Sequence, residues 1–114
     1  MLTVKEIYSE TIIVLGQNGY GEGMNNSDAF QKDFLCCLNK VILDLSEKPL
    51  TVKSLSDKID MPHIAKQALC NGTAMWLALL LGDSTRHNFF VRVYNAMRTK
   101  YKSTFQTVTD IMPR

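Results

Sequence analysis

Residues 62–101 constrain the fold more than any other part of this chain. They hold its longest and most apolar pattern, interrupted once, at Gly82 and Asp83. Over residues 62–81, Ile64, Ala65, Ala68, Leu69, Gly72, Met75, Trp76, Leu79 and Leu80 recur at three- and four-residue spacing, so they share one helical stripe. Over residues 84–102, Phe89, Phe90, Val93, Tyr94, Met97 and Tyr101 repeat that spacing. Two such helices joined by a Gly-Asp turn predict a central antiparallel hairpin in an all-α, four-helix bundle-like domain. Leu69, Trp76 and Leu80 are expected to meet Phe89, Phe90, Val93 and Met97 in its core. Pro62 suits a first helical turn, where its missing N–H costs nothing. Asp83 is placed to cap the helix that follows.

Two details of the first hairpin helix bear on how it is covered. Gly72 lies mid-helix, where glycine costs about 1 kcal/mol against alanine. Ala65, Ala68 and Gly72 form a shallow groove, so a close helix contact at Gly72 is expected to offset that cost. From Ala74 onward the helix is apolar on every side, with Leu77, Ala78 and Leu81 facing away from the main stripe. Such a helix must be covered all round. The second and fourth helices can cover part of it, and Leu77, Ala78 and Leu81 are therefore expected at an interface with another subunit or partner.

Two helices precede the hairpin. Thr3 and Glu6 have the spacing of a capping box, and Val4, Ile7, Tyr8, Thr11 and Leu15 line one face of the helix it opens. Gly16 is placed to end that helix in the left-handed conformation. Residues 17–26 then form a polar loop with Gly19, Gly21 and Gly23. It is no nucleotide-binding loop, because the glycine spacing is wrong and it follows a helix rather than a strand. Asn26 or Ser27 can cap a second helix with a stripe of Phe30, Phe34, Cys37, Leu38, Val41, Ile42 and Leu45, stopped by residues 46–49. Residues 50–61 read as an extended connection with a short strand or one helical turn. Residues 103–114 lose the helical stripe and are rich in Thr and β-branched residues. They predict an extended tail after a helical domain of residues 1–102, with Phe105, Val108, Ile111 and Met112 as anchors for a partner.

A net charge of +2 does not announce a nucleic-acid binder, but its distribution is uneven. Residues 1–83 carry seven lysines against ten acids, a balance of −3, while residues 84–114 carry four arginines and two lysines against Asp110, a balance of +5. A basic segment on a mildly acidic body points to an acidic partner or a polyanion, or to a solvated helix face. Arg92, Arg98 and Lys102 lie on the outer face of the last helix and are the candidate contacts. An alternative reading follows, a small basic DNA-binding regulatory protein.

Catalysis finds no support in the residues. His63 and His87 are far apart in the chain, with no Cys or acid at metal-ligand spacing. Cys36, Cys37 and Cys70 are an odd number without framework spacing, and they lie in apolar patterns, as buried thiols in a reducing compartment do. No catalytic residue, cofactor or metal is expected. The longest apolar run, residues 74–81, is too short to cross a bilayer, and no signal peptide is visible.

The order of these features resembles the small head–tail connector proteins, also called adaptor or head-completion proteins, of tailed double-stranded-DNA bacteriophages. The resemblance is carried by the opening Leu2-Thr3-Val4-Lys5-Glu6-Ile7 and by Ser54-Leu55-Ser56-Asp57-Lys58-Ile59-Asp60-Met61-Pro62 as a lead-in. It continues with Gln67-Ala68-Leu69-Cys70-Asn71-Gly72-Thr73-Ala74, the Gly82-Asp83 turn, and Asn88-Phe89-Phe90-Val91-Arg92-Val93-Tyr94-Asn95-Ala96-Met97. It extends to about Tyr101. Cys70 and Asn71 stand where an aromatic residue is common in that family, and the chain after Ser103 lies outside the resemblance. The likeness implies a structural virion protein and not an enzyme. It implies a homo-oligomeric ring of about twelve copies in cyclic symmetry beneath the portal protein. Such a ring extends the DNA channel and docks the tail or a stopper or nozzle protein in the virion neck, after synthesis in the host cytoplasm. Non-specific contact with packaged DNA is implied for the basic face, and no membrane.

Overall fold

The computed structural model describes residues 2–16, 28–46 and 51–111, with side chains through Ser103. The chain opens with a two-residue strand β1 (Leu2–Thr3), followed by α1 (Val4–Gly16) and α2 (Asp28–Ser46). A second short strand, β2 (Lys58–Ile59), and a 3-10 turn (His63–Ala65) lead into α3 (Lys66–Leu80) and then α4 (Ser84–Ile111). The all-α expectation holds.

Local chemistry sets the boundaries. The capping box forms as the sequence predicts: Thr3 N–H donates to Glu6 Oε1 at 3.0 Å, and Glu6 N–H donates to Thr3 Oγ1 at 3.3 Å. α3 ends in paired turn bonds, Asp83 N–H to the Ala78 carbonyl at 3.0 Å and Gly82 N–H to the Leu79 carbonyl at 3.1 Å. Gly82 sits between them at φ +75°, the left-handed conformation this ending requires. Asp83 Oδ1 then accepts the Arg86 N–H at 3.0 Å and caps α4. Gly16 behaves differently from expectation: it is the last residue of α1, and Gly82 is the positive-φ glycine among those described.

α3 is the axis of the domain. Every residue from Ala68 to Met75 is buried, as are Leu77 and Ala78, because α1, α2 and α4 each pack on a different side. Tyr8 of α1 meets Phe34 of α2 edge-on at 4.8 Å between ring centres. At Gly72 the expected close contact is present, for a Cβ built there would lie 2.7 Å from the Tyr94 ring and 2.8 Å from Val41 Cγ1. Glycine thus lets α2, α3 and α4 converge at one level.

The connection between α2 and α3 is tied down by side chains. β1 pairs antiparallel with β2, Leu2 opposite Ile59 and Thr3 opposite Lys58. The Asn39 amide bonds both backbone groups of Val52, donating to its carbonyl at 3.0 Å and accepting its N–H at 2.8 Å. A side chain of α2 therefore serves Val52 as a strand partner would. The Asp57 carboxylate accepts the Lys53 and Ser54 N–H groups at 2.7 and 3.1 Å and closes the turn before β2.

Three expectations need correction. First, α4 does not stop at Lys102: its backbone stays helical to Ile111. Thr and β-branched residues lower helix propensity by under about 1 kcal/mol each, and lengthening an existing helix needs no new nucleus. Residues 103–111 are therefore not an extended tail, and residues 112–114 lie outside the described part. Second, Leu77 and Ala78 are core residues, 1% and 0% exposed, rather than interface residues. Third, Leu80 and Phe89, assigned to the core, are 60% and 59% exposed. A helix apolar on all sides carries no register in its sequence. The placement of three neighbours decides which side is covered, and in the last turn of α3 it leaves Leu79, Leu80 and Leu81 outside.

Candidate interaction surfaces

α4 supplies most of the candidate surface, and its inner side is fixed by a polar clasp to α2. Asp44 Oδ2 accepts the Tyr94 hydroxyl at 2.5 Å and the Arg98 Nε–H at 2.7 Å. Burial works to raise the Asp44 carboxyl. The hydrogen bonds from Arg98 and Tyr94, with the charges of Arg98 and Lys102, outweigh it and hold the group below its usual value. Burial first, and then the Asp44 carboxylate, push the Tyr94 hydroxyl up.

This clasp separates the three predicted cations. Arg98 forms an ion pair within the domain, Lys102 is half-buried and acts on Asp44, and Arg92 is exposed. They do not form one outward basic face. Of the predicted apolar contacts, Leu81 is exposed, while the side chains of Phe105, Val108, Ile111 and Met112 lie outside the described residues. Part of the apolar surface that the structure presents was assigned elsewhere in the sequence: Leu79 and Leu80 at the end of α3, Phe89 in the second turn of α4, and Ile64 in the turn before α3. Their periodicity marks them as core, so no sequence signal separates them from truly buried neighbours.

Among the hollows of the surface, two are lined by described residues as follows. One, of about 410 Å³, lies between the start of α3 and α4 and is lined by Ile64, Gln67, Ala68, Met97, Lys100 and Tyr101. The other, of about 520 Å³, lies between the first turns of α2 and residues 53–56, and its lining includes Asp28, Lys32, Lys53 and Ser56.

Reactive chemistry is sparse. Burial pushes the Cys37 thiol up to about 12, with the neighbouring Cys36 adding to it. Cys70 is also pushed up to about 12, by burial first and then by Glu10. Thiols held so far above neutrality are poor nucleophiles and poor metal ligands. Cys36 is an exposed free thiol. The His87 ring Nδ1–H donates to the Met75 carbonyl at 2.9 Å and so links α4 to α3. His63 is exposed in the turn before α3. Among the described residues no group of three or more His, Cys, Asp or Glu side chains is placed to hold a metal ion, and no helix is long and apolar enough to cross a membrane.

Comparison with protein-family models, curated proteins and solved structures gives no match to this chain.

Proposed function

We propose that this protein is a structural connector subunit, a head-to-tail adaptor that assembles as a ring beneath a phage portal, extends the DNA channel and docks the tail. The observation that carries the reading is the apolar end of the α3–α4 hairpin. Leu79, Leu80, Leu81 and Phe89 are all exposed there, while Ile13, Leu43 and Ile64 are exposed on other elements. Apolar side chains gathered at one end of a small domain favour association. The order of sequence features that resembles the connector family supplies the identity of the assembly. In this reading the copies meet through the hairpin end, the ring contacts the portal protein on one side and a tail, stopper or nozzle protein on the other, and the protein resides in the virion neck.

The alternative, a small basic DNA-binding regulator, draws less support. Its helix must present cations outward, yet Arg98 is paired with Asp44 at 2.7 Å. Non-specific contact between Arg92 or Lys102 and packaged DNA remains part of the connector proposal.

Electron microscopy of the purified protein, alone and with a portal from the same genome, tests the reading. Rings that disappear in Leu80→Glu and Phe89→Glu variants are the expected result. A protein that stays monomeric and never joins the portal refutes it.

A further inference from the structure

α3 carries a chemically labile pair at its most crowded point. Asn71 is followed by Gly72, and glycine is the residue that least hinders ring closure onto a preceding asparagine. Packing holds the pair in place. A Cβ at position 72 would lie 2.7 Å from the Tyr94 ring and 2.8 Å from Val41 Cγ1, so a bulkier residue cannot simply replace the glycine. Asn71 is engaged as well. Its side-chain amide donates to the Gln67 carbonyl at 2.8 Å and to Met97 Sδ at 3.5 Å, and the residue is 8% exposed.

We propose that Asn71 is a site of covalent modification that opens only when the domain unfolds: deamidation there leaves a mark in α3 that disfavours refolding. The Gly72 backbone nitrogen gives up its proton to water or hydroxide and attacks Asn71 Cγ. The Cγ–Nδ2 bond breaks, and Nδ2 takes up a proton and leaves as ammonia. Water then adds to one carbonyl of the resulting succinimide and opens the ring. The product is aspartate or, in larger share, isoaspartate. Water is the only co-reactant, and nothing is oxidised or reduced.

The fold blocks the first bond. Residues 66–80 are helical, so the Gly72 N–H is committed to the Ala68 carbonyl. Helix side chains lean toward the N-terminus, and the bond from Asn71 to Gln67, four residues back, holds the amide on that side. The attacking nitrogen lies on the other side, in the residue that follows. Unfolding removes both restraints together. Neither product fits the site it came from. Isoaspartate lengthens the backbone in mid-helix, beside the contacts of Gly72 with α2 and α4. An aspartate carboxylate cannot donate to the Gln67 carbonyl, and it has little water there to solvate its charge. The chain thus keeps a record of time spent unfolded, whatever it assembles with, and the inference is independent of the connector reading.

Site-resolved mass spectrometry of the full chain tests this. The protein is held in mildly alkaline buffer with and without guanidinium chloride, then digested with trypsin. The peptide of residues 67–86 is scored for amide-to-acid conversion and for isoaspartate, and the peptide carrying Asn18-Gly19 supplies the reference rate in denaturant. Conversion at Asn71 is expected to keep pace with the reference in guanidinium. In native protein it should be at least about a thousandfold slower than in guanidinium, as the small unfolded fraction of a native population requires. A partly converted sample is then brought to the denaturation midpoint of the unmodified protein, and a brief protease pulse removes unfolded chains. Isoaspartate at Asn71 should be depleted at least about tenfold among the survivors, since breaking a helix ladder mid-helix costs more than that. Native conversion within about tenfold of the denatured rate, or isoaspartate equally frequent among survivors and in the whole sample, overturns the proposal.

Discussion

Adding one methyl group at Gly72 tests the packing of the whole domain. In Gly72→Ala the new Cβ would lie 2.7 and 2.8 Å from Cε1 and Cδ1 of Tyr94 and 2.8 Å from Cγ1 of Val41. All three distances are well inside van der Waals contact, near 3.5–4.0 Å between carbons. Helix propensity alone favours alanine by about 1 kcal/mol, and overpacking opposes it by about 1–3 kcal/mol. Which effect wins depends on whether the neighbours can retreat. Tyr94 is held by its 2.5 Å bond to Asp44, and Val41 is 1% exposed. Neither can give way freely, so the upper part of the overpacking range applies. The expected net loss is about 1–2 kcal/mol, read as a lower midpoint in urea and a fall in Tm of roughly 4–8 °C per kcal/mol. The decisive control is Val41→Ala, which removes one obstructing group. The double variant should lose about 1 kcal/mol less than the two single losses added together, as contacting sites do. A Gly72→Ala protein that melts higher than the parent, or strict additivity with Val41→Ala, would refute the convergence of α2, α3 and α4 at this glycine.

Other predictions follow from the polar fastenings and the thiols. Asn39→Ala leaves both backbone groups of Val52 without their partner and should cost about 1–3 kcal/mol, measured by urea unfolding, whereas a substitution at an exposed position such as Lys5→Ala should cost well under half of that. The Asp44 carboxyl is held below its usual value in the folded protein. Its contribution is therefore present above the unfolded value, near about 3.9, and is lost as pH falls through the lower folded value. Asp44→Asn should flatten the acid limb of a Tm-against-pH profile below about pH 4, and an unchanged acid limb would speak against the clasp. With a thiol-specific chromogenic reagent, Cys36 should react quickly in the native protein, and Cys37 and Cys70 only as fast as it unfolds.

The backbone plan was largely legible in the sequence because its signals are local. Thr3 and Glu6 announce a helix start whatever surrounds them, and Gly82-Asp83 announces a helix end followed by a cap. The stripes of α1 and α2 mark the buried set by spacing, Val4, Ile7, Tyr8, Thr11 and Leu15 in the first and Phe30, Phe34, Cys37, Leu38, Val41, Ile42 and Leu45 in the second, while Ile13 and Leu43, off the stripes, are exposed. The Asn39–Val52 and Asp44–Arg98 pairs were not legible. Each joins residues distant in sequence, and nothing near Asn39 or Asp44 distinguishes it from a solvated polar residue on a helix.

The surfaces were misread for a different physical reason. α3 is apolar on every side, so its spacing predicts a helix and a need for cover without saying which neighbour covers which side. α1, α2 and α4 together cover Leu77 and Ala78, and the unmet need moves to the last turn, Leu79 to Leu81. The same holds for charge. Residues 84–114 sum to +5, but a sum says nothing about which cations face outward. Arg86 lies 3.5 Å from Asp83 and Arg98 lies 2.7 Å from Asp44, so two of the arginines are engaged within the domain. The field that a partner meets on α4 is therefore weaker than the sequence implies, and the apolar surface is larger. In the proposed connector reading, association through Leu80 and Phe89 should survive salt that would abolish binding through phosphate contacts alone, since counterion release scales with the number of cations engaged and apolar burial does not. Under that proposal assembly is expected to persist at high ionic strength, and assembly that dissolves with added salt would return the leading role to the basic residues.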